Sequence, residues 1–317
     1  MINIISGFGI DVDFKDRSLE EIDKIIYYLE KLEVRWVRLN LDINRADDVN
    51  YLELIKSAID KLINKNIVIL GLVTEYVPAN FTNIFFSNFK FKAVNNNMIK
   101  ILSAVKTFAL KLKISHWEIW NEQNMHRFWH QTPDPAQYVN LVSKSFEIIK
   151  SINPGSNIIF GGINGNDIEP VFLNIKPFSY YRDFLKLSIK LGVSKFVNSI
   201  AFHPYHSACY FSFNDKNWFR TKIKNSIEKL VKKYPTKKFV ISEFGINPSF
   251  NFKLTNKDIS EIYKDLLDYA NSLDIPFCLY NLIDDPDSNY SRLKLDNNFG
   301  FLDNNLNEKE IYKNFVA

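Results

Sequence analysis

The stretch YLELIKSAIDKLINKNIVILGLV, residues 51–73, indicates the fold of this protein. Its first part places four apolar residues at helical spacing on one face: Leu52, Ile55, Ile59 and Leu62. Its last part, residues 67–73, is almost wholly apolar, which is typical of a parallel strand buried on both faces. An amphipathic helix followed at once by a buried strand is the repeating unit of an α/β fold.

The same unit recurs along the chain. Strands are predicted at 2–10, 34–41, 67–73, 115–120, 158–162, 197–202, 239–242 and 276–282. Helical segments are predicted between and after them at 22–32, 52–62, 99–112, 138–149, 181–191, 223–231, 259–273 and 309–315. Because strands and helices alternate eight times, we expect a closed (β/α)8 TIM barrel, with a doubly wound open sheet as the alternative. No linker divides the chain, so a single catalytic barrel is predicted over residues 1–317.

Composition and charge exclude several classes of protein. Of the 317 residues, 46% are apolar and 24% charged, which excludes disorder and allows a large core. The net charge of +4 comes from dispersed basic residues, which predicts no nucleic-acid partner. No apolar stretch is long enough for a membrane span, and the N-terminus lacks a secretory signal. We therefore expect a soluble protein, cytoplasmic by default and secreted only if a leader has been removed.

Aromatic residues are unusually abundant, at 15% of the chain. They are dense in three segments, 76–91, 117–129 and 202–219, two of which overlap the long connections 74–96 and 203–217. Long loops within a compact domain are often functional. Part of the aromatic content is expected to pack the barrel and its helices, and the rest to line a cleft that binds flat apolar faces.

Polar residues end several of the predicted strands, where the active site of a parallel barrel lies. Glu122 follows the fourth strand, and Glu243 follows Ser242 at the end of the seventh. An isolated glutamate at such a rim is more often a salt-bridge partner. Two glutamates that each follow an apolar strand favour a catalytic pair.

The segments around these glutamates resemble motifs of one enzyme group. They are WEIWNEQN (117–124) followed by Phe128-Trp129, AFHPY (201–205), VISEFG (240–245), and FGFLD (299–303) followed by Ile311-Tyr312. In this order they resemble clan A glycoside hydrolases, and most closely glycoside hydrolase family 39, which includes β-xylosidases, α-L-iduronidases and exopolysaccharide endoglycosidases. Three features depart from that family: Gln123 stands where proline is common, Tyr280 where tryptophan is common, and an accessory β-domain is not expected.

The resemblance implies a retaining glycoside hydrolase that cleaves O-glycosidic bonds of an oligo- or polysaccharide. Glu122 is then the general acid and base, and Glu243 the nucleophile. The same roles follow from chemistry, because glycoside cleavage needs one carboxyl group to deliver a proton and another to compensate the charge of an oxocarbenium-like centre. Carboxyl groups about 5 Å apart would imply retention of configuration.

Other residues are expected to support these two glutamates. Asn121 would hydrogen-bond a sugar hydroxyl, and Tyr205 and Arg38 would keep Glu243 ionised, Arg38 also serving as a structural ion pair. His203 is expected either to orient substrate or Tyr205, or to be a satisfied core residue. Four aromatic residues are candidate sugar-stacking surfaces: Trp120, Trp129, Trp218 and Tyr280.

The motifs predict no metal and no cofactor. Cys209 and Cys278 form no metal-ligand cluster, His203 and His206 do not fit the HExxH spacing of a zinc site, and GGING (161–165) does not fit GxGxxG. The predicted partner is a carbohydrate substrate. Two alternatives remain: a non-hydrolytic carbohydrate-binding barrel, and a transglycosidase that uses the same residues with a sugar as acceptor.

Overall fold

The computed structural model describes residues 5–75, 94–129, 132–164, 183–205, 215–250, 253–284 and 298–317. The strands in these ranges are β1 (Phe8–Val12), β2 (Trp36–Asp42), β3 (Val68–Thr74), β4 (His116–Ile119), β5 (Asn157–Asn164), β6 (Ser199–His203), β7 (Phe239–Phe244) and β8 (Phe277–Leu279). All pair in parallel in sequence order, and β1 pairs with both β2 and β8, which closes the barrel.

Helices follow the strands in the same ranges. They are α1 (Leu19–Lys31), α2 (Val49–Asn64), α3 (Val94–Lys111), α4 (His126–Trp129), α5 (Pro135–Ile152), α6 (Phe184–Lys190), α7 (Lys216–Lys233), α8 (Asn256–Ser272) and α9 (Glu310–Val316). Among these, several begin at a side chain that accepts a hydrogen bond from the first turn: Ser18, Asp48, Asp134, Asp215 and Thr255. Such caps satisfy backbone donors that a helix start leaves unpaired.

The interior of the barrel is filled by side chains at its amino-terminal end. A small apolar cluster lies there, formed by Ile5, Trp36, Leu70, Ile159, Ala201, Val240 and Cys278. Trp36 enters this cluster because Gly9 on the neighbouring strand lacks a side chain: a Cβ atom there would lie 2.3 Å from the indole. The cluster fills the amino-terminal end of the barrel, below the polar groups.

The predicted fold class is confirmed. Each predicted strand overlaps an observed one, and the pairing of β1 with β8 excludes an open sheet. Within the described part of the predicted first strand, Gly7 has a φ of +67° and β1 starts after it. Ile99, the first residue of the predicted helical segment 99–112, is 86% exposed on α3, whereas Ile101 is buried.

Two further expectations concern the whole chain. A single barrel over residues 1–317 stays a prediction, since part of that range lies outside the described residues. None of the described helices has the length and apolar character needed to span a bilayer.

His116 at the start of β4 gives the fold a pH dependence that can be measured. Its ring is buried between the Ser115 hydroxyl and the Asn157 amide, and burial lowers its pKa to about 4. The unfolded chain, with an ordinary histidine pKa near 6.5, therefore binds more protons between these values. Stability contributed by the neutral ring is present above that range and is lost as the pH falls through it.

We expect His116→Gln to weaken the acid sensitivity of folding. Between pH 7 and pH 5 the wild-type free energy of unfolding should fall by about 2 kcal/mol more than that of the variant. Urea denaturation at both pH values measures the difference. Equal losses in the two proteins would contradict the assignment to His116.

Candidate active site

The side chains of β2 that enter the barrel define its layers. Trp36 belongs to the apolar cluster at the bottom, Arg38 lies two residues nearer the carboxyl end, and Asn40 two residues beyond that. Alternate residues of a strand share one face, so these three side chains rise along the same wall. Arg38 is therefore the point where the interior changes from apolar to polar.

Arg38 donates five hydrogen bonds to four side chains, which together form the Arg38 cluster. Two go to Glu118, from Nε at 2.8 Å and from Nη2 at 3.1 Å. The others go to Asp11 at 3.1 Å, Glu243 at 2.9 Å and Asn121 at 2.7 Å. A guanidinium group has five N–H donors, and all five are used here. The buried cation thus joins residues of β1, β2, β4 and β7.

The charges of the Arg38 cluster do not cancel if every carboxyl group is ionised, since one guanidinium meets three of them. Burial raises the pKa of Asp11 to about 8, although Arg38 opposes the rise. Asp11 therefore carries a proton at neutral pH, and the positive charge of Arg38 compensates the carboxyl groups of Glu118 and Glu243. This distribution leaves the cluster with less uncompensated buried charge.

Glu122 lies just after β4 on a backbone held in an uncommon conformation. Its φ is +47° and that of Trp120 is +70°, both in the left-handed region that costs a non-glycine residue about 1–3 kcal/mol. Hydrogen bonds to the neighbouring strands offset this strain. The Trp120 amide donates to Val73 on β3, and the Glu122 amide donates to Gly162 on β5.

The residues after Glu122 fix the loop to β5. The side-chain amide of Gln123 donates to the Gly161 carbonyl at 2.7 Å. Asn124 pairs with the backbone of Asn164 through both of its amide atoms, at 2.7 and 3.1 Å. Proline is common at this position in the family that the motifs resemble. Gln123 therefore makes a hydrogen bond to β5 for which proline has no donor.

The side chain of Glu122 meets polar groups from the next two strands. Its Oε1 atom accepts a hydrogen bond from the Asn164 amide at 2.6 Å and lies 3.0 Å from Nδ1 of His203. The carboxyl group is buried, with 5% of the side chain exposed. These two contacts are with an amide and an imidazole.

Glu243 at the end of β7 has different partners. Its Oε2 accepts from Arg38 at 2.9 Å, and its Oε1 accepts from the Tyr205 hydroxyl at 3.1 Å. Burial raises the pKa of Glu243 above its usual value and the nearby Glu122 adds to the rise, while Arg38 and the Tyr205 hydrogen bond oppose it. A guanidinium and a phenol both favour the ionised carboxylate.

The carboxyl groups of Glu122 and Glu243 lie close to each other and to His203. Each of Glu122, His203 and Glu243 has an atom that could ligate a metal, and these three atoms lie within 4.8 Å of one another. Within the described residues, this is the group that could surround a metal ion. Arg38, at 2.9 Å from Glu243, places a positive charge against any cation bound by that carboxylate.

His203 lies below the two carboxyl groups and is completely buried. Its Nδ1 faces Glu122, and its Nε2 lies 3.1 Å from the Ser242 hydroxyl. Burial lowers the pKa of His203 to about 4, so the ring is neutral at neutral pH. With no exposed surface, His203 contacts the glutamate pair and lies edge-on to the Tyr205 ring, with the ring centroids 6.3 Å apart. A part in orienting substrate stays a prediction.

Trp120 and Trp129 are also buried, which corrects their predicted role as sugar-stacking surfaces. Trp129 packs edge-on against Trp120 on one side and Tyr138 of α5 on the other, with ring centroids 5.9 and 6.0 Å apart. The Trp120 indole also donates to the Phe128 carbonyl. The short helix α4 turns these rings inward, so they support the loop that carries Glu122 and offer no face to a sugar.

The other predicted contact residues differ in position. Asn121 is partly exposed, and its Oδ1 faces Arg38, which fixes the amide orientation. Tyr280 is partly exposed after β8 and packs edge-on against Phe299. Trp218 is partly buried at the start of α7. The aromatic segment 76–91 lies outside the described residues, as does most of the long connection after β6.

Four residues of the site were not foreseen: Asp11, Glu118, Asn164 and Ser242 in its hydrogen-bonding role. Glu118 lies within β4, so a search for polar residues at strand ends passes over it. The Gly161-Gly162 pair was a usable signal for close packing on β5. A Cβ atom at Gly161 would lie 2.3 Å from the Trp120 carbonyl oxygen, and one at Gly162 2.0 Å from Nε2 of His203.

Comparison with solved structures supports the fold. The barrel superposes on a monomeric beta-xylosidase from Caulobacter crescentus CB15 (TM-score 0.61, 13% identity, 98% of this chain and 67% of the other). It also superposes on the endo-1,4-beta-D-mannanase of Thermotoga petrophila RKU-1 (TM-score 0.64, 15% identity, 98% of both chains). A family 39 enzyme from Xanthomonas axonopodis pv. citri gives a TM-score of 0.60 at 12% identity, over 98% of this chain and 65% of the other.

The structural neighbours are clan A glycoside hydrolases. The resemblance seen in the sequence motifs is therefore confirmed at the level of the fold. No family model matches the sequence, and neither does any curated protein. At 12 to 15% identity the shared property is the barrel itself.

We expect Arg38→Met to destabilise the protein strongly. The change removes five hydrogen bonds and leaves buried carboxyl groups without a cation, which typically costs about 3–5 kcal/mol. The free energy of unfolding from urea titration measures the loss. The matched control is Arg45→Met, because Arg45 forms solvent-accessible pairs with Asp16 and Asp48 that are worth about 1 kcal/mol or less. Equal losses would contradict the central position of Arg38.

Proposed function

We propose that the protein is a retaining glycoside hydrolase, with Glu122 as general acid and base and Glu243 as nucleophile. The observation that carries the proposal is the separation of the two carboxyl groups, which present oxygen atoms within 4.8 Å of each other at the ends of β4 and β7. Retaining enzymes place these groups about 5–5.5 Å apart, whereas inverting enzymes need room for a water molecule between them.

The surroundings of the two carboxyl groups support this division of roles. Glu243 receives hydrogen bonds from Arg38 and Tyr205, which favour a negative charge. Glu122 is buried beside a neutral imidazole, where a protonated carboxyl group costs less than a charged one. The neutral Asn164 amide that donates to it favours ionisation less than the Arg38 cation does at Glu243. Two carboxyl groups with opposite proton preferences are what acid-assisted nucleophilic displacement requires.

In the first step, a Glu243 oxygen bonds to the anomeric carbon while the bond to the leaving oxygen breaks. Glu122 gives its proton to that oxygen, so the aglycone leaves as a neutral alcohol. In the second step, water gives a proton to Glu122 as its oxygen bonds to the anomeric carbon. The bond between the anomeric carbon and Glu243 breaks as the new bond forms, so Glu243 leaves as a carboxylate and both groups return to their starting states.

Asn121 is suited to bind the sugar during these steps. Arg38 donates to its Oδ1, so the side-chain NH2 group is the end that can turn toward a ligand. A hydrogen bond from this group to a hydroxyl next to the anomeric carbon would strengthen as charge develops. Tyr280 is partly exposed after β8, and we expect its ring to pack on the sugar.

We expect Glu243→Ala to abolish turnover of an activated aryl glycoside, because no covalent intermediate can form. Azide should restore part of the activity by taking the place of the missing carboxylate. Glu122→Gln should lower kcat by about a hundredfold or more on substrates with a poor leaving group, and far less on activated ones. Kinetic assays across aryl glycosides with leaving groups of different acidity measure both effects.

The control for these variants is Glu53→Ala, whose side chain is exposed on α2. It should keep wild-type rates. A 2-fluoro glycoside should label the wild-type chain at Glu243. A carbohydrate-binding barrel without hydrolytic activity would bind sugar without being labelled, and full activity in Glu243→Ala would overturn the assignment.

The stereochemical outcome is a separate expectation. Because one oxygen atom of each carboxyl group lies within 4.8 Å of the other, the first product should have the same anomeric configuration as the substrate. Proton NMR during hydrolysis, in a screen of aryl glycosides and polysaccharides, reports the anomer before mutarotation. An inverted first product would contradict the covalent mechanism, and sugar–sugar products at high acceptor concentration would indicate transglycosylation.

A further inference from the structure

The hydrogen bonds below Glu122 have a fixed direction, which follows from counting donors. Glu118 accepts from Arg38 twice and from the Gly162 amide at 2.8 Å, so its carboxylate acts as an acceptor. The Ser242 hydroxyl lies 3.1 Å from Glu118 Oε1 and donates to it. That hydroxyl has one proton, so toward His203 it can act only as an acceptor.

The direction of these bonds fixes the tautomer of His203. Its Nε2, at 3.1 Å from the Ser242 oxygen, must carry the proton to make a hydrogen bond. Burial keeps the ring neutral by holding its pKa at about 4. A neutral imidazole protonated at Nε2 has a lone pair at Nδ1, and Nδ1 lies 3.0 Å from Glu122 Oε1. A hydrogen bond between these two atoms then requires the proton of Glu122.

We propose that Glu118 and Ser242 are positioning residues that hold His203 in its Nε2–H tautomer, so that its Nδ1 accepts the proton of Glu122. The three residues Glu118, Ser242 and His203 are called the tautomer network here. The proposal deepens the proposed function and rests on it, because it explains how Glu122 stays protonated before substrate binds. Glu122 is thus kept protonated by a hydrogen-bond acceptor as well as by burial.

The same lone pair acts in both halves of the reaction. Before cleavage it stabilises the protonated form of Glu122, whose proton then passes to the leaving oxygen. After cleavage, the Glu122 carboxylate faces a lone pair with no proton between them, which makes it a stronger base toward water. His203 keeps its own proton at Nε2 throughout, so the network changes no charge during turnover.

The tautomer can be measured without any activity assay. In nitrogen-15 NMR, protonated and unprotonated imidazole nitrogens have well-separated shifts. The chain has five histidines, and comparison with His203→Gln assigns the signals of His203. At neutral pH we expect protonated Nε2 and unprotonated Nδ1. A proton on Nδ1, or a charged ring, would overturn the proposal.

The second test is the pH dependence of kcat/KM in Ser242→Ala. Loss of the hydroxyl leaves Nε2–H without its acceptor, so the Nδ1–H tautomer can form and donate to Glu122. The ionised form of Glu122 is then favoured, which lowers its pKa. The alkaline limb of the profile should therefore move to lower pH by about one unit, which corresponds to the free energy of one hydrogen bond. Ser242→Thr, which keeps the hydroxyl, should restore the limb. An unmoved limb in Ser242→Ala would overturn the role of Ser242.

The matched control is Ser145→Ala on α5, which removes an equally buried hydroxyl away from the site. It should leave the pH profile unchanged, so a shift in both alanine variants would mark a general effect of lost stability and count against the proposal. If the wild-type chain hydrolyses no glycoside, the proposed function fails, while the NMR measurement still decides the tautomer.

Discussion

The buried guanidinium of Arg38 is the constraint on which the polar interior depends. Charged groups inside a barrel are costly unless they are paired and hydrogen-bonded, and here the carboxyl groups of Asp11, Glu118 and Glu243 converge from three strands. A single planar cation with five donors satisfies them together and also fixes Asn121. The orientation of the candidate nucleophile and of the carboxylate below His203 thus follows from one side chain on β2.

The difference between the two candidate catalytic glutamates arises from their neighbours rather than from their depth. Both are buried, but Glu243 adjoins the cation and a phenol, whereas Glu122 adjoins an amide and an imidazole lone pair. Glu118 takes part on both sides, since it binds Arg38 directly and reaches His203 through Ser242. One carboxylate therefore couples the surroundings that favour charge on one glutamate to those that favour a proton on the other.

The sequence predicted the barrel and the positions of Glu122 and Glu243, because buried strands are apolar and their polar ends are visible locally. It could not predict Glu118 or Asn164 as partners, since those contacts join strands that are distant in the chain. It also misplaced Trp129. A tryptophan next to an acid motif has the same local pattern whether its ring faces solvent or the core, and only the inward turn of α4 decides between the two.

Gly162 bears on how distant relatives of this protein should be compared. Its amide binds Glu118, its carbonyl binds the Glu122 amide, and the space where a side chain would begin is taken by the His203 ring. A homologous barrel with alanine at this position has to rotate or replace that imidazole. The residue at position 162 can therefore be used to compare sequences. Glycine there is compatible with the His203 arrangement, whereas any larger residue indicates that the general acid is kept protonated by other contacts.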